Sequence, residues 1–595
     1  MGKIEVSDGV TMSAILQGAL KSYSAGKYRH CLLQIAPMLK RADAATEVLL
    51  LAAQCHAKSE QFAEAATFYN RAAETAPDKA QMLKLMAATM LTRTSETRQA
   101  LQAARIAARS GAFDIEAEET FRRCLHGSLN FDECEVEDQR FLAMLKQGDE
   151  RYLAIEKPFD HITWCADEAL NARQTRVPHA RPFTAASRAE RRARPHVFGD
   201  RIRIGYLSSD ICDQHATMRL FQGVLMQHDR DAFEVTLFCH TPAGLIKRDK
   251  GLRRQYGKIV PIGHLTDEKA VNLIRSHKID ILVDLKGHTK GARANIVNLG
   301  AAPIQVAYLG FPGSGIGIDC DYVVSDGIVT PDTSKPHYHE KLCRLPESYQ
   351  ANDDTHRPLP PALPRQKLGL PEDAIVFAAF NALRKITPQT ASLWMKILNA
   401  TGNSVLWLYC EDHFARENML NYADSHGIAR ERIIFADGAD YEIHAARLQA
   451  ADIGLDTFPY NGHTTTSDKL WAGLPVPTFR GTHFASRVSE SLLTALGAPE
   501  LVADNARDYV ALCVRLAGDP AELKALKEKL TQNRFRASLF DTERFTRHLE
   551  TAYRMMIDRA REGLEPDHMD VPALPARTAP FKSDDTADEL TRKRA

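Results

Sequence analysis

The sequence predicts an all-α helical front followed by two Rossmann-like α/β lobes. Three observations predict it. Residues 10–150 are rich in Ala, Leu, Gln, Glu and Arg and show almost no strand pattern. From Arg201 onward, short apolar runs alternate with helical patterns, as expected of parallel sheets with helices on their faces. A Pro-rich break, Arg357-Pro358-Leu359-Pro360-Pro361-Ala362-Leu363-Pro364, splits that alternation into two series. The 595 residues therefore divide into five parts. These are a helical domain (1–150), a linker or packing segment (151–200), a first lobe (201–355), a second lobe (356–563) and a polar, Pro-containing tail (564–595) expected to be disordered.

In the front, Tyr28 and Phe62 stand 34 residues apart in similar contexts, which is the period of a tetratricopeptide unit. Ala53, Ala65, Tyr69, Ala72 and Pro77 occupy its small, small, aromatic, small and proline positions. Ala100 and Ala104 suggest a third, degenerate copy. Such stacks present docking surfaces for peptides or partner proteins. The basic stretch Arg188, Arg191, Arg192, Arg194 reads as a solvated face or loop.

The first lobe's strands are expected at Arg201–Leu207, Phe233–Phe238, Ile279–Leu285, Gln305–Leu309 and Tyr322–Val324. The second's are expected at Ile375–Phe380, Val405–Tyr409, Arg432–Phe435, Ile453–Asp456 and Val476–Phe479. A helix at about Thr542–Arg561 is expected to close the second lobe. Two such lobes bind ligands beyond the carboxyl ends of their strands.

Charge and composition narrow the function classes. Lys+Arg and Asp+Glu are both 76, so the chain lacks the basic footprint of a general nucleic-acid binder. Its apolar runs are too short to span a bilayer. Met1–Val6 has no signal-peptide core, and Ser7 falls one position late for a myristoylation pattern. The eleven cysteines form no C-x-x-C pair, so no zinc site or disulfide framework is indicated. Asp319-Cys320-Asp321 precedes a strand and reads as structural. A soluble, cytoplasmic protein without a metal is expected.

The most informative stretch is Asn461-Gly462-His463-Thr464-Thr465-Thr466-Ser467-Asp468. Small and hydroxylated residues lead into a helix start, where unpartnered amides and the helix dipole favour an anion. Asp468 can accept bonds from sugar hydroxyls. Lys385, in Phe380-Asn381-Ala382-Leu383-Arg384-Lys385, follows a strand and can meet a diphosphate as a point charge, with Arg384 a competing candidate. His215 follows the first strand and can act as a base or hold a sugar or phosphate. His444 and Arg447 share a helix face and can line a base. Gly287-His288-Thr289 and Leu309-Gly310-Phe311-Pro312-Gly313 also follow strands, the second as a turn that lets backbone approach a ligand.

Taken together, these motifs resemble the soluble O-GlcNAc transferase family, which includes the SPINDLY-type proteins. The matching stretches run in order from Arg201 to about Val502. They include Tyr206-Leu207-Ser208-Ser209-Asp210 with His215, Asp284-Leu285-Lys286-Gly287-His288-Thr289, and Leu470-Trp471-Ala472-Gly473-Leu474-Pro475. The resemblance implies a two-lobed GT-B fold and inverting, metal-independent transfer of a sugar from a nucleotide donor to protein Ser or Thr, with UDP-GlcNAc the default donor. It implies that Lys385 supports the leaving diphosphate and that Thr464 and Thr465 bind phosphate. His463 would contact sugar or phosphate, and Asp468 the ribose. His444 and Arg447 would line the base, while Gly310 and Pro312 floor the sugar site. His215 would lie beside the acceptor hydroxyl, with His288 and Thr289 near the acceptor or sugar pocket and Asn381 at the donor. Ala382 stands where the vertebrate-type motif has Gln, and Tyr441 where it has Lys. These departures open a second donor class, a CMP-linked nonulosonic acid transferred to flagellin. An N-glycosyltransferase and an inactive tetratricopeptide scaffold complete the alternatives.

Overall fold

The computed structural model describes residues 7–174 and 180–582. They form two compact units. One holds the chain up to Ile155 together with Asp412–Asn421, and the other holds Glu156–Glu411 and the chain from Tyr422 onward.

The first unit is built of helices α1 (Ser7–Ser24), α2 (Tyr28–Leu39), α3 (Thr46–Lys58), α4 (Phe62–Thr75), α5 (Ala80–Leu91), α6 (Thr97–Arg109), α7 (Ile115–His126) and α8 (Phe131–Lys146). Most pack on their sequence neighbours, as in a tetratricopeptide-like stack. Ala53, Ala65, Ala72, Ala100 and Ala104 are all buried with Tyr69, so the small residues bring helices together and the ring fills the gap. Tyr28 and Phe62 each open a helix. Residues 412–421, expected in the second lobe, group with this unit instead. Asp412 accepts from Thr97 Oγ1 at 2.7 Å, and Asn418 donates to the Ser128 carbonyl at 2.9 Å.

The second unit holds both α/β lobes. Strands β1 (Ile202–Ser208), β2 (Phe233–Cys239), β3 (Lys258–Pro261), β4 (Ile281–Asp284), β5 (Ile304–Ala307), β6 (Tyr322–Asp326) and β7 (Lys341–Leu345) form a parallel sheet in the order β7-β6-β5-β4-β1-β2-β3. Ile204 pairs with Val235 on one side and Ile281 on the other. β4 is buried throughout, as a central parallel strand must be. β3 escapes a sequence reading because it is a four-residue edge strand with exposed ends.

Strands β8 (Ile375–Ala379), β9 (Ser404–Tyr409), β10 (Ile433–Ala436) and β11 (Ile453–Gly454) form the second parallel sheet, in the order β10-β9-β8-β11. The expected fifth strand does not join it. β12 (Thr478–Phe479) pairs instead with β13 (Val502–Ala503) in a separate ribbon.

Three further expectations are corrected by long-range packing. The basic stretch forms helix α9 (Ala185–Ala193) and is not solvated. Arg191 is 2% exposed. It grips Asp321 through two 2.8 Å bonds and Asp319 at 3.1 Å, while Arg188 and Arg192 take the same two carboxylates. The helix Thr542–Arg561 returns to the first lobe rather than closing the second. Its Glu550 meets His228 at 3.1 Å, and its Tyr553 meets Tyr206 at 3.2 Å. The tail is ordered as far as it is described: β14 (Met569–Asp570) pairs with β7, and Lys582 reaches Asp354 at 2.7 Å. Residues 583–595 lie outside the described residues. No helix among the described residues is long and apolar enough to cross a membrane.

Candidate active site

Strand order decides where a site can form. In the first sheet the chain runs β1-β2-β3 one way and places β4 on β1's other side. In the second it runs β8-β9-β10 one way and places β11 on β8's other side. Each reversal opens a crevice at the strands' carboxyl ends. Asp210 and Lys286 follow β1 and β4, while Asn381–Lys385 and the 455–463 loop follow β8 and β11. One cleft of about 420 Å³ is lined from both sets, by His215, Thr289, Gly310, Asn381, Lys385, His463, Thr464 and Thr465 among others.

On the second lobe's side, the loop after β11 is pinned from below. Buried Asp456 accepts from the Gly462 amide at 2.7 Å and from Thr478 Oγ1 at 2.8 Å. Gly462 is required by close approach, since a Cβ would stand 2.4 Å from Thr466 Oγ1 and 2.7 Å from Thr465 Oγ1. The loop delivers helix α10 (Thr464–Trp471), whose first two residues line the cleft. Thr465 Oγ1 donates to Asn381 Oδ1 at 2.6 Å, which ties the two strand-end motifs together. Lys385 Nζ donates to the Asn461 carbonyl at 2.9 Å and lies 3.8 Å from the Tyr460 ring centroid. Burial, reinforced by neighbouring Arg384 and Lys469, holds its pKa well below the ordinary lysine value. His463 stacks on Tyr460 at 4.7 Å. Burial and Lys385 keep its ring uncharged, so its Nε2, 3.2 Å from the Ala485 carbonyl, carries the hydrogen.

On the first lobe's side, Lys286 Nζ contacts both oxygens of Asp210 at 2.7 Å. His215 caps the helix Ala216–Gln227, its Nδ1 accepting the Thr217 amide at 3.2 Å. Burial chiefly holds the His215 pKa below its usual value, with Lys286 and Arg219 adding to it and Asp210 opposing. Gly310 packs against the end of β4, where a Cβ would sit 2.2 Å from the Leu285 carbonyl.

Five expected residues do not line this cleft. Pro312 lines a smaller cavity with Phe311 and His483. His288 packs edge-on against Phe311 at 4.9 Å, and burial lowers its pKa to about 4. Asp468 is already engaged: Arg357 Nη2 donates to Oδ1 at 2.9 Å and the Tyr441 hydroxyl at 2.6 Å. His444 Nδ1 accepts from Arg447 Nε at 3.2 Å, and its ring meets Phe380 at 5.2 Å. Arg447 also donates to the Asp437 carbonyl at 2.7 Å. Sequence reasoning missed Arg357, whose only signal was a lone arginine opening the proline break, and gave no role to Lys286. Met218 and Arg219 are unusual in the His215 loop for the family the motifs resemble, but the sequence gives Arg219 no role; its guanidinium lies 3.9 Å over the Tyr441 ring.

Among the described residues, Cys212, Asp213 and Asp249 form a potential cation grouping. Asp213 already accepts the Lys250 amide at 2.8 Å, and Asp249 the Asp213 and Gly251 amides at 3.1 and 3.0 Å. The carboxylates fix a loop.

The model of glycosyl transferase family 41 matches residues 167–360 and 360–549. The chain belongs to this family. It is 35% identical over 377 residues to the probable UDP-N-acetylglucosamine–peptide N-acetylglucosaminyltransferase SEC of Arabidopsis thaliana, covering 62% of this chain and 38% of that one. It is 29% identical over 486 residues to the UDP-N-acetylglucosamine–peptide N-acetylglucosaminyltransferase of Caenorhabditis elegans, covering 62% and 42%. The chain thus spans about two fifths of the length of these curated relatives. A mutant of Thermobaculum terrenum O-GlcNAc transferase superposes with a TM-score of 0.64 at 26% identity, covering 94% of this chain and all of that one. The family 41 chain has the two-lobed GT-B fold behind a tetratricopeptide-like front.

Proposed function

We propose that this chain is a protein O-glycosyltransferase, inverting and metal-independent, that moves GlcNAc from UDP-GlcNAc to Ser or Thr of a protein acceptor in the cytoplasm. One observation carries the reading: Lys385 and the start of α10 face one cleft at the second lobe's switch point, and Lys385 has a carbonyl and a ring for company rather than a carboxylate. As the acceptor oxygen bonds the anomeric carbon, the bond from that carbon to the diphosphate oxygen breaks and negative charge gathers on the phosphates. An ammonium and oriented amides fixed there beforehand stabilise that charge more in the transition state than in the ground state. His215 stands across the cleft beside the acceptor. Its Nδ1 is occupied, so its neutral ring offers a hydrogen at Nε2 and holds an oxygen in place. The acceptor proton passes to a donor phosphate oxygen. His463, Thr464, Thr465 and Asn381 hold the phosphates and sugar, with Gly310 beneath them. Asp468, His444 and Arg447, outside the cleft lining, are assigned the nucleoside end of the donor on the family resemblance alone. The helical front selects the acceptor protein.

A second reading has a specific observation behind it. Ala382 lines the cleft where a longer side chain stands in the vertebrate-type motif. The room suits a larger, acidic sugar from a CMP-linked nonulosonic acid, with flagellin as acceptor. The test is thermal melting with UDP, GDP and CMP and their sugar conjugates, because a ligand that binds only the folded state raises Tm. Stabilisation by UDP-GlcNAc supports the first reading, and stabilisation by the CMP conjugate alone replaces it with the second. Stabilisation by none of them, with no donor hydrolysis, returns the chain to the scaffold alternative.

A further inference from the structure

At the first lobe's switch point two basic side chains compete for one carboxylate. Lys286 Nζ sits 2.7 Å from each oxygen of Asp210. Ser209 Oγ and Thr217 Oγ1 donate to the same group at 3.0 and 3.2 Å. His215 Nε2 stands 3.6 Å from Asp210 Oδ1, outside good hydrogen-bond length. Lys286 and Asp210 are 3% and 5% exposed, whereas the His215 ring is about one-third open, at the cleft wall. An imidazole whose Nδ1 accepts an amide carries its proton on Nε2 when neutral. Without the lysine, a bare carboxylate would face that Nε2 at short range and favour the doubly protonated ring, whose second proton goes onto Nδ1 and displaces the Thr217 amide that now donates to it.

We propose that Lys286 is a positioning residue for the transfer reaction: by occupying both oxygens of Asp210 it keeps that carboxylate from charging His215, whose neutral ring then presents its single Nε2 hydrogen to the cleft. The reaction it serves rests on the function proposed above, but the state of the ring does not. The charged groups facing the ring are Asp210 and Lys286 from the strand ends and Arg219 from its own helix. Lys290, also after β4, lines the same cleft, and Arg384, Lys385 and His463 line it from the second lobe. Of these, Asp210 is the one that favours imidazolium. Burial works with the cations and holds the ring's pKa below its ordinary value.

The experiment is an NMR titration of the full chain carrying 13Cε1-histidine, with the His215→Gln spectrum assigning the resonance. The wild-type ring is expected to stay neutral at about pH 7, below which its titration midpoint falls. Lys286→Met is expected to raise the midpoint by about one pH unit or more. Lys286→Arg is expected to keep it low, and Asp210→Asn with Lys286→Met to bring it back down. In transfer assays the acid limb of kcat/KM should follow the midpoint, a coupling that a merely structural lysine would not produce. An unmoved midpoint in Lys286→Met overturns the proposal. Should that variant fail to fold, Lys286→Gln carries the test, since it too frees the carboxylate and must raise the midpoint, and an unmoved value overturns the proposal. A ring that titrates as expected in a chain that transfers no sugar leaves this inference standing and removes the proposed function.

Discussion

The two walls of the cleft are built on the same plan and finished in opposite ways. Each sits at a strand-order reversal, and each carries a lysine, buried on the first wall and half-buried on the second. On the first wall, Lys286 has a carboxylate held in both hands of its charge, Asp210 at 2.7 Å. On the second, Lys385 donates to a carbonyl and rests on an aromatic face. A paired charge fixes geometry, whereas an ammonium bonded to a carbonyl instead of a carboxylate keeps most of its pull on an anion. The first wall's lysine is therefore already paired, and under the proposed function the second wall's is completed by the donor's phosphates.

The largest expected effect follows from that contrast. Lys385→Ala should lower transfer by about 100-fold or more, as loss of a preorganised charge does, while melting stays near wild type. A steady-state assay with a melting curve checks it, and unchanged turnover would erase the distinction between the walls. Next, Gly462→Ala should force Thr465 and Thr466 aside and cost about 1–3 kcal/mol of local packing. Weaker nucleotide binding by calorimetry, with first-wall histidine signals unmoved, would place that damage on one wall alone.

The pH dependence comes third. Burial holds the Lys385 pKa well below its ordinary value, and a bound phosphate would raise it again. Nucleotide affinity should therefore be full at lower pH and fall as pH rises through the depressed value, because the free enzyme loses the ammonium first. Calorimetric Kd against pH tests the sign, and Lys385→Arg should flatten the curve. The smallest effect belongs to Thr465→Val. It removes the 2.6 Å bond to Asn381 and should cost about 1 kcal/mol, a few-fold in donor Kd. An equal loss from a first-wall Thr289→Val would argue against separate duties.

Much of this was legible in the sequence because the site is made at strand ends. Apolar runs followed by His215, Asn381, Lys385 and Gly462 mark both the sheet and the crevice. What stayed hidden are pairings whose partners lie far apart along the chain. Arg357 meets Asp468 across 111 residues, and Arg191 meets Asp321 across 130. No local period announces such contacts, and an arginine in a polar stretch reads as solvated. The Thr542–Arg561 helix was misplaced for the same reason: its amphipathic pattern shows a face to bury but not which lobe receives it. Pro312 and His288 were grouped with the cleft because they adjoin Gly310 and Thr289 in sequence. Their neighbours face the cleft, while they pack around Phe311.

Helix α9 also dictates where the molecule can be divided. A gene fragment trimmed to start at the first strand would omit Arg188, Arg191 and Arg192, stranding Asp319 and Asp321 at 1% and 3% exposure. Removing one partner of a buried ion pair costs about 3–5 kcal/mol, a large share of the ~5–15 kcal/mol that holds a typical domain folded. Thr184, which caps α9 by accepting the Ser187 amide at 3.1 Å, is the earlier boundary that keeps those carboxylates paired. A shorter fragment would record as lost catalysis what is only lost folding.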